Sequence, residues 1–323
     1  MLKFLFATLT LLNLSTAFST PIKIGASSAL STAGIYIAQE KGYFKAAGLE
    51  TEIIVLTNST AQMTTLLAKN ELQVGAGNLI AGLFNAYAAG EKFKIVADKG
   101  HLNKNSEYLW LMVRKDLFDS KKVQKISDLK GLKIGLPSIE GSSQQIALDS
   151  ILKSEKLSIK DITPIKVGYS DMKLALEKKE IDAAVQLEPY LSDIVEAKLA
   201  IKFKSVQKFR PDQQSAVIIF SEKFAADKTS AQKFMSAYLK GIGDYNESLK
   251  SKEKWIEMTA LVNKYAKIDG EKTWSKIENV GLNNDGSLNV ESIKSDYSWY
   301  KDNSFIKGDI KLEDIIDLSF IKK

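Results

Sequence analysis

The chain has no cysteine, a single histidine (His101) and two arginines (Arg114 and Arg210) among 45 basic residues. Without cysteine there is no disulfide, no thiolate metal site, no cysteine nucleophile and no lipid-anchored N-terminal cysteine. One histidine excludes a multi-histidine metal cage. Nucleic-acid readers favour arginine, whose planar fork fits phosphate and guanine. Here the lysines are scattered among 39 acids for a net charge of +6, which reads as a solvated surface and not a nucleic-acid footprint. Proline is scarce, at 5 of 323 residues, while 45% of the chain is hydrophobic and 26% charged. That composition excludes disorder, collagen and coiled coil, and the length suits two domains of roughly 150 residues.

Catalytic signatures are missing too. There is no P-loop, no G-x-S-x-G elbow and no H-E-x-x-H. Gly75-Ala76-Gly77 is half of a dinucleotide fingerprint without its third glycine, and is expected to be a tight turn after a strand. His101 falls in a polar loop, Lys99–Ser106, and is expected to face solvent. No pair of carboxylates stands out. No short tandem repeat is visible, and no metal or cofactor is expected.

Met1–Ser19 has a lone Lys3, an apolar run over Phe4–Leu14, and small Ala17 and Ser19 before Thr20. This is the pattern of a cleaved secretory signal peptide, and no later stretch is apolar enough to span a bilayer. Strand and helix signals then alternate. Apolar or β-branched runs at 22–26, 52–56, 73–76 and 93–97 read as strands, with helices over 30–41, 60–68 and 79–89. After the strand Tyr108–Arg114 and a lysine-rich stretch to Lys130, a second series follows. Its strands are at 133–136, 162–167, 181–185 and 216–220, and its helices at 141–153 and 170–178. Beyond Ser221 the apolar spacing is helical. This order predicts parallel sheets with right-handed crossovers, in two α/β lobes with a ligand cleft between them.

The strand ends carry the most information. Ser27 and Ser28 follow the first strand, Asn58, Ser59 and Thr60 the second, and Asn78 the third. Gly141, Ser142 and Ser143 open a helix of the second series. Such ends offer hydroxyls and free backbone N–H groups beside a positive helix dipole. Singly each is an N-cap. Recurring in both lobes, they suit a small anionic head group. Glu188 and Tyr190 flank Pro189 at a further strand end and are expected to point toward the cleft, with a hinge or surface salt bridge as the equal alternative for Glu188.

Several stretches resemble a known family. They are Ile37-Ala38-Gln39-Glu40-Lys41-Gly42-Tyr43-Phe44 with Ala47-Gly48-Leu49-Glu50, Ser127-Asp128-Leu129-Lys130-Gly131-Leu132-Lys133-Ile134-Gly135, and Glu180-Ile181-Asp182-Ala183-Ala184 with Glu188-Pro189. In these the chain resembles the periplasmic solute-binding proteins of ABC importers, in the sulfonate, taurine, nitrate and thiamine-precursor group. The resemblance implies a type II periplasmic binding fold. One lobe would be 20–114 plus 214–323 and the other 115–213, after a signal peptide at 1–19. It further implies a monomeric, periplasmic, non-enzymatic subunit that closes on a small sulfonate or taurine-like anion and docks on an inner-membrane permease driven by a separate ATPase. A pyrimidine thiamine precursor is the alternative ligand. The pyrimidine-phosphate-forming relatives carry cysteine and histidine motifs that are absent here. From another class, an exported carboxylate-dependent hydrolase or transferase, or a two-lobed sensor, remains open. Arg114 and Arg210 each adjoin an expected lobe crossing, and at least one is expected to brace the hinge.

Overall fold

Ten strands divide between two mixed sheets of one design in the computed structural model, which describes residues 20–56, 60–104, 106–267 and 276–321. The expected signal peptide, Asn58 and Ser59 lie outside these residues. The first sheet has the order β2-β1-β3-β10-β4, and the second β7-β6-β8-β5-β9. The strands are β1 (Ile22–Ala26), β2 (Thr51–Val55), β3 (Val74–Asn78), β4 (Phe93–His101), β5 (Leu109–Arg114), β6 (Lys133–Leu136), β7 (Thr163–Lys166), β8 (Ala183–Leu187), β9 (Ala200–Ser205) and β10 (Gln214–Ser221). In each sheet the first three strands are parallel, and one strand from beyond a crossing inserts antiparallel: β10 beside β3, β5 beside β8. Central strands covered on both faces need continuous apolar sequence. β8 (AAVQL) and β10 (QSAVIIFS) are buried along their whole length.

This topology corrects the expected lobe boundary at residue 114. The strand read as the last of the first lobe, β5, bonds to β8 and β9 in the second sheet. The chain therefore crosses in the connector between His101 and Leu109, and returns between Ser205 and Gln214. Arg114 is corrected with it. Arg114 ends β5 at the edge away from the crossing, where it pairs with Asp116 (2.7 Å) and Asp182 (3.3 Å). Arg210 does lie beside the return crossing, with Nη2 2.5 Å from Oδ1 of the buried Asp296 on the helix Val290–Asp302. Burial pushes the Asp296 carboxyl up to about 6, against the pull of Arg210.

Two further expectations are overturned. Gly75-Ala76-Gly77 is not a turn but the middle of β3. A Cβ at Gly75 would lie 2.7 Å from Met63 Sδ and 2.8 Å from Leu67 Cδ1, so the glycines let the helix Thr60–Ala68 lie close on the sheet. Nor does His101 sit in a solvent-facing loop. β4 runs on through Asp98, Lys99 and Gly100 to His101, and all four are buried. The Asp98 carboxylate explains it, by accepting from Gly100 N (2.8 Å), His101 Nδ1 (2.9 Å), Gln214 Nε2 (2.7 Å) and Asn283 N (2.8 Å). A buried charge is tolerated when its lone pairs are this fully used.

Arg210→Lys is expected to lower stability by about 1–2 kcal/mol, because an ammonium does not reproduce the guanidinium's planar, charge-assisted contact with the buried Asp296. Arg114→Lys should stay within about 0.5 kcal/mol, since its partners are partly exposed. Urea denaturation of the two variants checks the contrast.

Candidate functional site

The C-terminal ends of parallel strands from both sheets face one another across a cleft, which is where open α/β sheets bind ligands. A cavity of about 570 Å³ is lined from the first lobe by Ser27, Leu56, Thr60, Met63 and Asn78. From the second come Ser138, Ser142, Lys166 and Tyr169. An adjoining space of about 720 Å³ shares Ser27, Leu56 and Tyr169 and reaches Ser28 and Tyr190. Six of the nine expected ligand residues therefore line the cleft: Ser27, Ser28, Thr60, Asn78, Ser142 and Tyr190.

The other three do not, and each has a physical reason. Gly141 and Ser143 are spent on joining the lobes. Ala81 N donates to Gly141 O (2.9 Å) and Ser143 N to Leu79 O (3.3 Å), bracketing an antiparallel bridge between Ile80 and Ser142. The N–H of Ser143, expected to meet an anion, is thus already bonded. Glu188 turns away from the cleft into the protein. Its Oε1 accepts from Ser192 Oγ (2.8 Å) and Glu278 N (3.2 Å), and its Oε2 from Ser192 N (3.1 Å). Burial pushes its carboxyl up to about 7, against these hydrogen bonds.

Several of the cleft hydroxyls also have partners within the protein. Ser142 Oγ caps its helix, accepting from Gln145 N (3.2 Å), and donates to Ser138 O (3.2 Å). Thr60 Oγ1 accepts from Asn78 N (3.0 Å). Ser28 Oγ and the Tyr190 hydroxyl bond to each other across the cleft. The Tyr169 and Tyr190 rings lie nearly parallel, 11° apart with centroids separated by 6.5 Å. Leu56, Met63, Ile80 and Phe305 form an apolar wall. Phe305 is held there by Asn85, which donates to Phe305 O (2.8 Å) and accepts from Lys307 N (2.8 Å).

Tyr169, Asn85 and Phe305 were missed from the sequence. Tyr169 had the clearest signal available, since it follows β7 at the same strand-end position as the residues that were picked. Asn85 and Phe305 meet from positions 220 residues apart, and no local pattern pairs them.

The family model described as NMT1/THI5 like matches residues 30–248, and the chain belongs to this family. A putative binding protein of Brucella abortus (strain 2308) is 28% identical over 286 residues, covering 84% of this chain and 83% of the relative. A 4-amino-5-hydroxymethyl-2-methylpyrimidine phosphate synthase of Aspergillus parasiticus is 26% identical over 249 residues, covering 71% of this chain and 68% of the relative. Among solved structures, the alkanesulfonate-binding protein SsuA of Xanthomonas axonopodis pv. citri, bound to MOPS, superposes with a TM-score of 0.73 at 15% identity. That match covers 93% of this chain and 98% of SsuA. The fold is that of the two-lobed periplasmic binding proteins.

The raised carboxyl of Glu188 has a consequence for stability. Its folded-state pKa of about 7 lies above the ordinary 4.5. Its neutral form is therefore favoured by folding, and the associated stability is present below pH 4.5 and lost as pH rises through 7. Over that window the loss is on the order of 3 kcal/mol. Glu188→Gln is expected to flatten this part of the stability–pH curve, measured by chemical denaturation on either side of the window. An unchanged slope would contradict it.

Proposed function

We propose that this chain is the solute-binding subunit of an ABC importer, exported to the periplasm, which closes its two lobes on a small organic anion and presents it to a membrane permease. The observation that carries this reading is the cavity itself. It is built by strand ends of both lobes, so it exists only when the lobes come together. Family membership and the shared fold support the same class. The permease, the separate ATPase that drives it, the cleaved signal peptide and the monomeric state belong to this proposal.

The lining favours a solute with two ends. Hydroxyl and amide groups of Ser27, Thr60, Asn78 and Ser142 suit an oxygen-rich head such as a sulfonate. Leu56, Met63, Ile80 and Phe305 suit a short apolar tail. About 570 Å³ is the size of a small-molecule site. One observation favours a second reading: parallel tyrosine rings 6.5 Å apart suit a flat aminopyrimidine, since aromatic faces stack.

A thermal-shift screen of alkanesulfonates, taurine, nitrate and aminopyrimidines tests the assignment. At about a hundred times its dissociation constant, the true solute should add roughly 2.7 kcal/mol to folding stability. Stabilisation by sulfonates supports the first reading, and by aminopyrimidines alone the second. Conversion of the bound solute, followed by NMR, would replace the transport reading with an enzymatic one.

A further inference from the structure

A buried lysine that the site described above does not use lies behind Ser27, a residue of the cleft wall. Lys99 is fully buried near the crossing end of β4. On β10, Ala216 faces Gly100 and Val217 faces Asp98, so Lys99 is the extra residue of a bulge. Bulges re-aim the side chain they carry. Here the ammonium reaches two hydroxyls, Ser31 Oγ at 3.0 Å and Ser27 Oγ at 3.2 Å. Both are neutral. Among the described residues, the charge acting on Lys99 is the Asp98 carboxylate. That carboxylate already accepts from Gly100, His101, Gln214 and Asn283. A buried ammonium without a counter-ion in contact is costly, and Ser27 lies between it and both parts of the cleft.

We propose that Lys99 selects a negatively charged solute, acting through Ser27 as the positive charge beneath the head-group end of the cavity. It is a positioning and specificity residue, because it touches Ser27 and not the solute. Lys99 donates to Ser27 Oγ, while Thr32 Oγ1 and the Tyr36 hydroxyl donate to Ser27 O (2.8 and 2.7 Å). The Ser27 proton is left to Thr32 Oγ1, 3.2 Å away, or to whatever occupies the cavity. An anion there draws that proton and completes a chain from ammonium to solute, in which each hydrogen bond strengthens the next. The inference rests on reading the cavity as an anion site.

Burial also lowers the Lys99 ammonium to about 7. The other titratable groups around this corner are Asp98 and His101 on β4, Tyr36 behind Ser27, Tyr108 and Tyr238 about the sheet, and Tyr190 across the cleft. Burial raises all four tyrosines, so they stay neutral. Burial is the largest influence on His101 and works against its charged form, but the hydrogen bond and charge of Asp98 together with the charge of Asp212 exceed it, and the net shift is upward. An anion at Ser27 favours the charged lysine. Binding should therefore take up a proton near pH 7 and weaken above it, by up to about tenfold per pH unit.

Lys99→Met removes the charge while nearly keeping the volume. Parent and variant are titrated calorimetrically with butanesulfonate and with its neutral counterpart butanesulfonamide, below and above pH 7, in buffers of different ionisation heat. The variant is expected to bind the sulfonate about tenfold or more weakly, to bind the sulfonamide like the parent, and to lose proton uptake. Its ligand-free melting temperature should not fall, because a buried charge has been replaced by an apolar group. Should Lys99→Met fail to fold, Ser27→Ala carries the same comparison and is expected to weaken the sulfonate more than the sulfonamide. Equal sulfonate affinity and equal proton uptake in parent and variant would overturn the Lys99 role alone. If no sulfonate, carboxylate or nitrate binds the parent, the anion reading falls and the Lys99 role with it.

Discussion

The lobes are joined across the cleft by main-chain hydrogen bonds, and much of the site follows from that. Leu79–Ala81 of the first lobe and Gly141–Ser143 of the second form a short antiparallel bridge at the cavity rim. Leu30 N adds a bond to Glu188 O (3.3 Å). Backbone pairing of this kind demands close approach. A Cβ at Gly141 would lie 2.7 Å from Ala81 Cβ, and the residue's φ of +87° suits glycine. The bridge uses the helix-start N–H of Ser143 that would otherwise meet a ligand. On the proposed function, recognition then falls to hydroxyls on the cavity wall and to Lys99 behind Ser27.

Three buried acids tie further elements together. Asp98 gathers donors from β4, β10 and the segment at Asn283 beside the two crossings. Asp296 receives Arg210 and, at 3.0 Å, Gln213 Nε2. Glu188 receives the backbone of Glu278, and the same segment pairs Lys276 with Glu196 (2.7 Å) and Glu278 with Lys202 (3.3 Å). The C-terminal part of the chain thereby straps onto the second lobe at a third place. At Asp296 and Glu188 the hydrogen bonds offset only part of the desolvation cost, and each of the three acids fixes one element against another, which suits a hinge better than apolar contacts that can slide.

Strands β1, β6 and β10 and the helix Thr60–Ala68 were legible because their burial is continuous or periodic. The partner of β5 was not, because a strand's sequence shows that it is buried and not in which sheet. β9 (AIKFKS) was overlooked for its two lysines; its four central residues are only partly buried. The Lys99–His101 end of β4 read as a loop because polar Lys99 and His101 are buried there beside Asp98, in a network contributed from residues more than a hundred positions away. The strand-end rule found most of the cleft hydroxyls. It misplaced Glu188, whose direction is set by Ser192 and Glu278, and it passed over Lys99, whose direction is set by a bulge.

Lobe closure over the cavity is tested most directly by locking the bridge. Ile80 and Ser142 form a pair flanked by hydrogen bonds rather than joined by them, a geometry with Cα atoms roughly 4.5 Å apart and within disulfide reach. The chain has no native cysteine to compete. In the Ile80→Cys, Ser142→Cys double variant, exchange of bound solute is followed before and after oxidation. The oxidised protein is expected to hold its solute far longer than the reduced protein does. Exchange at the same rate in both states would contradict closure of the two lobes as the step that captures the solute.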